Sequence, residues 1–143
     1  YYLLKVDPQK RMKFNPDESI ELNGNTGPFI QYAYARINSL MTKVELVNPE
    51  KEMSIDFAEK ELIKQLSEFP LVVKEAGQNY SPALIANYTF ELVKNYNSFY
   101  QACSVMKEEN IALKNARILI SQNTGKVIHT AMRLLGINVP NRM

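Results

Sequence analysis

The residues whose types and spacing could do chemistry here are rings and cations, and the chemistry they suit is stacking and charge pairing. Three rings, Phe29, Tyr32 and Tyr34, crowd the first turns of the stretch Thr26-Gly27-Pro28-Phe29-Ile30-Gln31-Tyr32-Ala33-Tyr34-Ala35-Arg36 and project in different directions. One core cannot absorb rings pointing every way, so some of them should meet something else. Net charge is only +2, but it is unevenly spread. Between Lys43 and Glu68 the acidic residues outnumber the lysines. From Asn110 onward there is no acidic residue, whereas Lys114, Arg117, Lys126, Arg133 and Arg142 are all basic. That segment is the candidate for a polyanion, with Lys126, Arg133 and Arg142 as phosphate contacts. A solvated basic helix face would carry the same charges.

Bond-making chemistry leaves fewer marks. There is no Gly-rich phosphate loop, no G-x-S-x-G and no metal-spaced set of histidines or carboxylates, so no catalytic and no metal-ligating residue is assigned. Glu108-Glu109 reads as a helix-start or solvated cluster, not an acid/base pair. Cys103 falls on an apolar stripe and is expected to be a buried structural thiol. As the one cysteine it allows no internal disulfide, and with one histidine, His129, neither residue type can build a zinc site. His129 shares a helix face with Gln122, Lys126 and Arg133, which predicts a surface position near phosphate.

The elements that must position these residues are helices. At 143 residues, 45% hydrophobic and 22% charged, the chain has the balance of one globular domain, and such a length buries roughly 68–70% of the unfolded surface. No apolar run approaches the roughly 18–20 residues that span a bilayer, and no leader pattern is present, so a soluble, reducing, cytoplasmic setting without membrane attachment is expected. A start at Tyr1 without an initiator methionine suggests a piece of a longer protein.

Tyr1 to Val6 reads as the last turn of a helix stopped by Asp7-Pro8, followed by a linker over Gln9 to Asn25 with one helical turn near Asp17 to Leu22. Gly27 and Pro28 open a helix running to about Val47, before Asn48-Pro49, with Phe29, Ala33, Ile37, Leu40 and Val44 on one face. A third helix, about Ile55 to Ser67, is expected to break at Phe69-Pro70, and a short one over Leu71 to Gly77 to end on the glycine. Ser81-Pro82 starts a long helix to about Val105, with Ile85, Tyr88, Leu92, Tyr96, Phe99 and Cys103 as its stripe. The last spans about Asn110 to Leu135 and stops at Gly136. Gly125 inside it points to a close helix crossing. Nothing alternates with period two for long enough to make a sheet, so the fold class is all-α, an antiparallel helical bundle.

Collinear stretches carry a family resemblance. Thr26 to Arg36 resembles the helix that opens the anticodon-binding domain, of DALR type, in arginyl-tRNA synthetases. Ser81-Pro82-Ala83-Leu84-Ile85-Ala86-Asn87-Tyr88 and Tyr96-Asn97-Ser98-Phe99-Tyr100 are similar to its central long helix. Leu134-Leu135-Gly136-Ile137-Asn138-Val139-Pro140-Asn141-Arg142-Met143 is similar to its C-terminus. Residues Tyr1 to Asn23 resemble the segment leaving the class I catalytic domain. One departure is Tyr34, where the family commonly has histidine.

The resemblance implies residues 1–24 as the end of a catalytic domain or connector and residues 25–143 as the helical anticodon-binding domain. It implies a role in docking the anticodon stem-loop of arginine tRNA, with Phe29, Ala33, Tyr100 and Met143 as contacts and Tyr32 and Arg36 close by; without it, Phe29 and Ala33 read as core. Unstacked loop bases are read by stacking on rings, worth roughly 1–3 kcal/mol per base, while cations hold the backbone. The parent would be a ligase joining arginine to its tRNA with ATP and Mg. This chain lacks the His-Ile-Gly-His-like and Lys-Met-Ser-Lys-Ser-like signatures, so it would need no cofactor and carry recognition only. The catalytic domain of the same polypeptide is the other implied partner, and a monomer is expected. A helical protein-interaction module, or the anticodon domain of another class I synthetase, are the rival readings.

Overall fold

The structure, a computed structural model, describes residues 1–44, 56–103 and 105–143. Among the described residues there are five helices and no strand: α1 (Pro16–Ser19), α2 (Gly27–Met41), α3 (Phe57–Gln78), α4 (Pro82–Ala102) and α5 (Ile111–Leu134). The all-helical bundle expected from periodicity is what forms. Tyr1 to Val6 makes a single turn, with the N–H groups of Leu4 and Lys5 both donating to the Tyr1 carbonyl at 2.8 and 3.1 Å, and no helix.

α2 starts where its cap chemistry says it should. The Thr26 hydroxyl oxygen accepts the Phe29 N–H at 3.3 Å, and Pro28 occupies the first turn, where its missing N–H costs no bond. The buried stripe is Ile30, Ala33, Ile37 and Leu40, so Ile30 takes the core position and Phe29 moves to its edge. The helix ends at Met41, earlier than expected, because the chain tightens there: Lys43 N–H donates to the Leu40 carbonyl at 3.0 Å and the Thr42 hydroxyl to the Ser39 carbonyl at 2.9 Å. Val47, Asn48-Pro49 and Ile55 lie outside the described residues.

Pro70 does not break the third helix. α3 runs through it, and the short separate helix expected over Leu71 to Gly77 is the second half of α3. A proline inside a helix costs about 3 kcal/mol. Pro70 itself sits on the solvent side of the helix. Continuing the helix stacks Phe69 on Tyr88, ring centroids 5.5 Å apart, and closes Ala76 over Ile85 and Ala131. Burying large apolar side chains at about 1.5–3 kcal/mol each offsets the local penalty.

Helices α3 and α5 end in the same kind of turn. At the end of α3 the Ser81 N–H donates to the Ala76 carbonyl at 3.0 Å and the Tyr80 N–H to that of Gly77 at 3.4 Å, with Tyr80 left-handed at φ 50°. At the end of α5 the Ile137 N–H donates to Met132 at 2.9 Å and the Gly136 N–H to Arg133 at 3.0 Å, with Gly136 at φ 74°. These are Schellman caps, which favour glycine in the left-handed position. Gly136 is the stop read from the sequence; in the first turn the left-handed residue is Tyr80 and not Gly77.

α4 ends at Ala102 and not Val105, because Cys103 turns extended and Val105 is driven back into the core. α5 is capped by Asn110, whose side-chain oxygen accepts the Leu113 N–H at 3.1 Å. α2 and α5 cross closely at Gly125, where a Cβ would lie 3.0 Å from Ile37 Cγ2.

Arg117 departs furthest from the charge-based expectation. It is 5% exposed and faces inward, its Nε donating to Glu59 Oε1 at 2.7 Å and its Nη1 to Glu108 Oε2 at 2.6 Å; Glu59 itself is 0% exposed. Burial works against the guanidinium charge, but the hydrogen bond and charge of Glu59 outweigh it and hold the pKa above the usual arginine value. Glu108 is therefore an ion-pair partner, not a solvated turn residue. Glu59 also accepts the Asp56 N–H in a capping box that starts α3.

Two stability outcomes follow. Tyr80→Gly should raise unfolding stability by about 0.5–1 kcal/mol in urea titration, since an 88% exposed ring gives up a left-handed backbone that glycine adopts freely; an unchanged or lowered midpoint would contradict the strain. Glu59→Ala should cost about 3–5 kcal/mol by leaving buried positive charge undercompensated, and a loss below about 1 kcal/mol would mean that the pair is not buried in solution.

Candidate nucleic-acid interface

After α5, the chain doubles back along α2. Gln31 Nε2 donates to the Asn138 carbonyl at 2.8 Å and Asn38 Nδ2 to the Asn141 carbonyl at 3.2 Å, while Ile137 and Val139 lean on the core. Gln31 and Asn38 sit at i and i+7 of one helix, hence on one face. The tail they hold becomes one wall of a groove of about 500 Å³. The groove is lined by Tyr32, Arg36 and Lys43 from α2 and the turn after it, and by Asn141, Arg142 and Met143 from the tail. None of the residues lining it is acidic.

Arg36 is the best-held group there. Its Nη2 makes a short hydrogen bond to Asn97 Oδ1 on α4, and the guanidinium lies over the Tyr100 ring, 4.9 Å from the centroid. A stacked guanidinium clamped at one nitrogen is already oriented, and it retains a planar face and donors suited to base edges or phosphate. Arg36 Nε is buried with no hydrogen-bond partner among the described residues. Behind it Tyr96 stands 6.0 Å from Tyr100, its hydroxyl likewise buried without a partner. Burial pushes the Tyr96 phenol up to about 12.

The residues singled out in the sequence therefore part company. Tyr32, Arg36, Arg142 and Met143 meet in one groove, and Tyr100 reaches it from beneath Arg36 without lining it. Phe29 packs against Phe90, centroids 5.7 Å apart, between α2 and α4. Ala33, 2% exposed, is part of the core. Lys126 lines a separate groove between α2 and α5 with His129 and Tyr34; Arg133 is exposed and lines neither. His129 is half-buried at that surface, as its helix face predicts. Arg117, counted among the basic surface residues, is spent inside the bundle.

Asn97, Lys43, Gln31 and Asn38 were missed. The shared helix face of Gln31 and Asn38 was legible; their partners, 107 and 103 positions away, were not. Cys103 is buried, as its stripe position predicts, and burial raises its thiol pKa. Among the described residues no group of His, Cys, Asp and Glu could hold a metal ion, and no helix is long and apolar enough to cross a membrane.

The all-helical domain matches a known class. Residues 30–143 fit the family model of the DALR anticodon binding domain, and the chain belongs to that family. The relatives it resembles are arginine–tRNA ligases. That of Bacteroides thetaiotaomicron is 54% identical over 149 residues, covering 100% of this chain and 25% of the relative. That of Phocaeicola vulgatus is 52% identical over 149 residues, with the same shares. Among solved structures, Thermus thermophilus arginyl-tRNA synthetase superposes with a TM-score of 0.91 at 29% identity, over 99% of this chain and 25% of that one. The chain thus spans about a quarter of the length of these proteins.

Tyr96 supplies a check on the groove floor. A phenol whose folded pKa exceeds its ordinary value of 10.0 contributes stability that is intact below pH 10 and lost as pH rises through about 12. Tyr96→Phe should remove that share of the alkaline loss, and at pH 7 should leave stability unchanged or raise it by up to about 1 kcal/mol, because the hydroxyl it deletes is unpartnered. A clear loss at pH 7 in a denaturant titration would mean that the hydroxyl is hydrogen-bonded.

Proposed function

We propose that this chain is the anticodon-recognition part of an arginine–tRNA ligase and docks the anticodon stem-loop of arginine tRNA. The observation that carries the proposal is the meeting of Tyr32, Arg36, Arg142 and Met143 in one groove free of acidic side chains. Family membership and relatives at about half identity support it. In this proposal Tyr32 offers its ring to an unstacked loop base, Arg36 donates to a base edge or stacks on it, and Met143 closes the groove. Arg142 and Lys43 hold the phosphates. Tyr100 acts through Arg36 by keeping the guanidinium flat. Phe29 and Ala33 set the α2 backbone from within, so their part in recognition is indirect.

Residues 1–24 are proposed as the connector from the catalytic part and residues 25–143 as the binding domain. The parent enzyme would activate arginine with ATP and Mg and act as a monomer in the cytoplasm. Both ligands are assigned to the catalytic part of that parent enzyme, as the family resemblance implies.

Steady-state kinetics of the full-length enzyme test the site. Tyr100→Ala should lower kcat/KM for arginine tRNA by about 10–100-fold, as expected for one lost stacking contact or its support, while the KM for arginine and for ATP stays put and the melting temperature moves by a few degrees. A large drop in melting temperature would make Tyr100 purely a core residue. Titration with arginine tRNA must also weaken steeply with salt, and a changed middle anticodon base must reduce affinity. Salt-insensitive binding would sink the RNA proposal, and indifference to the anticodon would sink the arginine assignment.

A further inference from the structure

A second groove, of about 400 Å³, lies between α2 and α5 and is lined by Tyr34, Asn38, Met41, Gln122, Lys126 and His129, with Gly125 among its other lining residues. The rings of Tyr34 and His129 are 5.9 Å apart and tilted by 32° to one another, and both are half-buried. The groove contains no acidic side chain, and Lys126 is exposed on its rim. Asn38 borders this groove and the one walled by the tail, so the two are neighbours across a single residue.

Paired rings, an adjoining ammonium and amide groups make up the set that holds a single-stranded nucleotide: a π face for the base, a cation for the phosphate and donors for an edge. We infer that this second groove takes a further nucleotide of the same single-stranded loop, its base against the Tyr34–His129 pair and its phosphate at Lys126, with Asn38 at the crossing between the two sites. The inference rests on the anticodon-loop proposal for the first groove and extends it to a continuous track around α2. It assigns Tyr34 and His129 a joint role that neither has alone. It also gives Lys126 a defined phosphate partner.

The test uses the full-length protein and an arginine tRNA transcript. Tyr34→Ala and His129→Ala should each weaken binding by about tenfold, the loss expected for one base stack. The double variant should lose little more than either single one, since the rings act as a pair. Tyr34→Phe should bind as the parent does. Lys126→Gln should reduce the slope of log affinity against log salt by about 0.7, the value for one single-strand phosphate. If these variants bind like the parent while Tyr32→Ala and Arg142→Gln are defective, the second site is wrong and the first stands. If neither set weakens binding, the proposal for the first groove fails as well. A loss in Tyr34→Ala that is shared by Tyr34→Phe and follows melting temperature, with Lys126→Gln at full affinity and unchanged slope, would also overturn the inference.

Discussion

One buried guanidinium sets the register of this bundle. Arg117 reaches from α5 to Glu59 at the start of α3 and to Glu108 in the turn before α5, so three segments meet at a single planar fork. Against an apolar replacement such a pair contributes little net stability, because desolvation nearly cancels attraction. Its effect is positional: a one-residue slip of α5 along α3 would part Nε from Oε1 and strand both charges. With α5 fixed, its C-terminal cap is fixed too, and the cap turns the tail onto α2. The groove thus inherits its geometry from an ion pair on another part of α5.

Much of the fold was legible because its signals are local. Pro28 in a first turn, Ser81-Pro82 at a helix start and Gly136 past a helix end each state a backbone preference that nothing overrides. Gly125 announced a crossing because a side chain there would press on Ile37, which would have to give way. Pro70 misled for the complementary reason. Its local preference is real, but Phe69 on Tyr88 and Ala76 against Ile85 and Ala131 outweigh it, and those partners lie on α4 and α5. Arg117 misled because counting charge along the chain cannot distinguish a cation facing water from one facing a buried carboxylate.

The candidate site was legible in kind more than in composition. Ring crowding in Thr26 to Arg36 pointed to recognition, and the family resemblance picked out Tyr100 and Met143, which no spacing rule would join to Tyr32. Periodicity could not say that Ile30 displaces Phe29 from the centre of the stripe, because a shift of one residue on a helix is within the width of an apolar face. Asn97 lies in a stretch that carries the resemblance, but neither its type nor its spacing marks it; its part is visible only once α2 lies beside α4 and Arg36 meets an acceptor there.

The tail is fastened through its own carbonyls, at Asn138 and Asn141, by amides that belong to α2. A peptide oxygen is the same whichever residue carries it, so beyond Val139, whose side chain leans on the core, the anchoring does not consult the side chains of the tail. Placement and selectivity are thereby separated. Evolution, or an engineer, is free to vary what stands at positions 141 to 143 and so reshape that wall of the groove, while the helix amides go on setting where those side chains are presented.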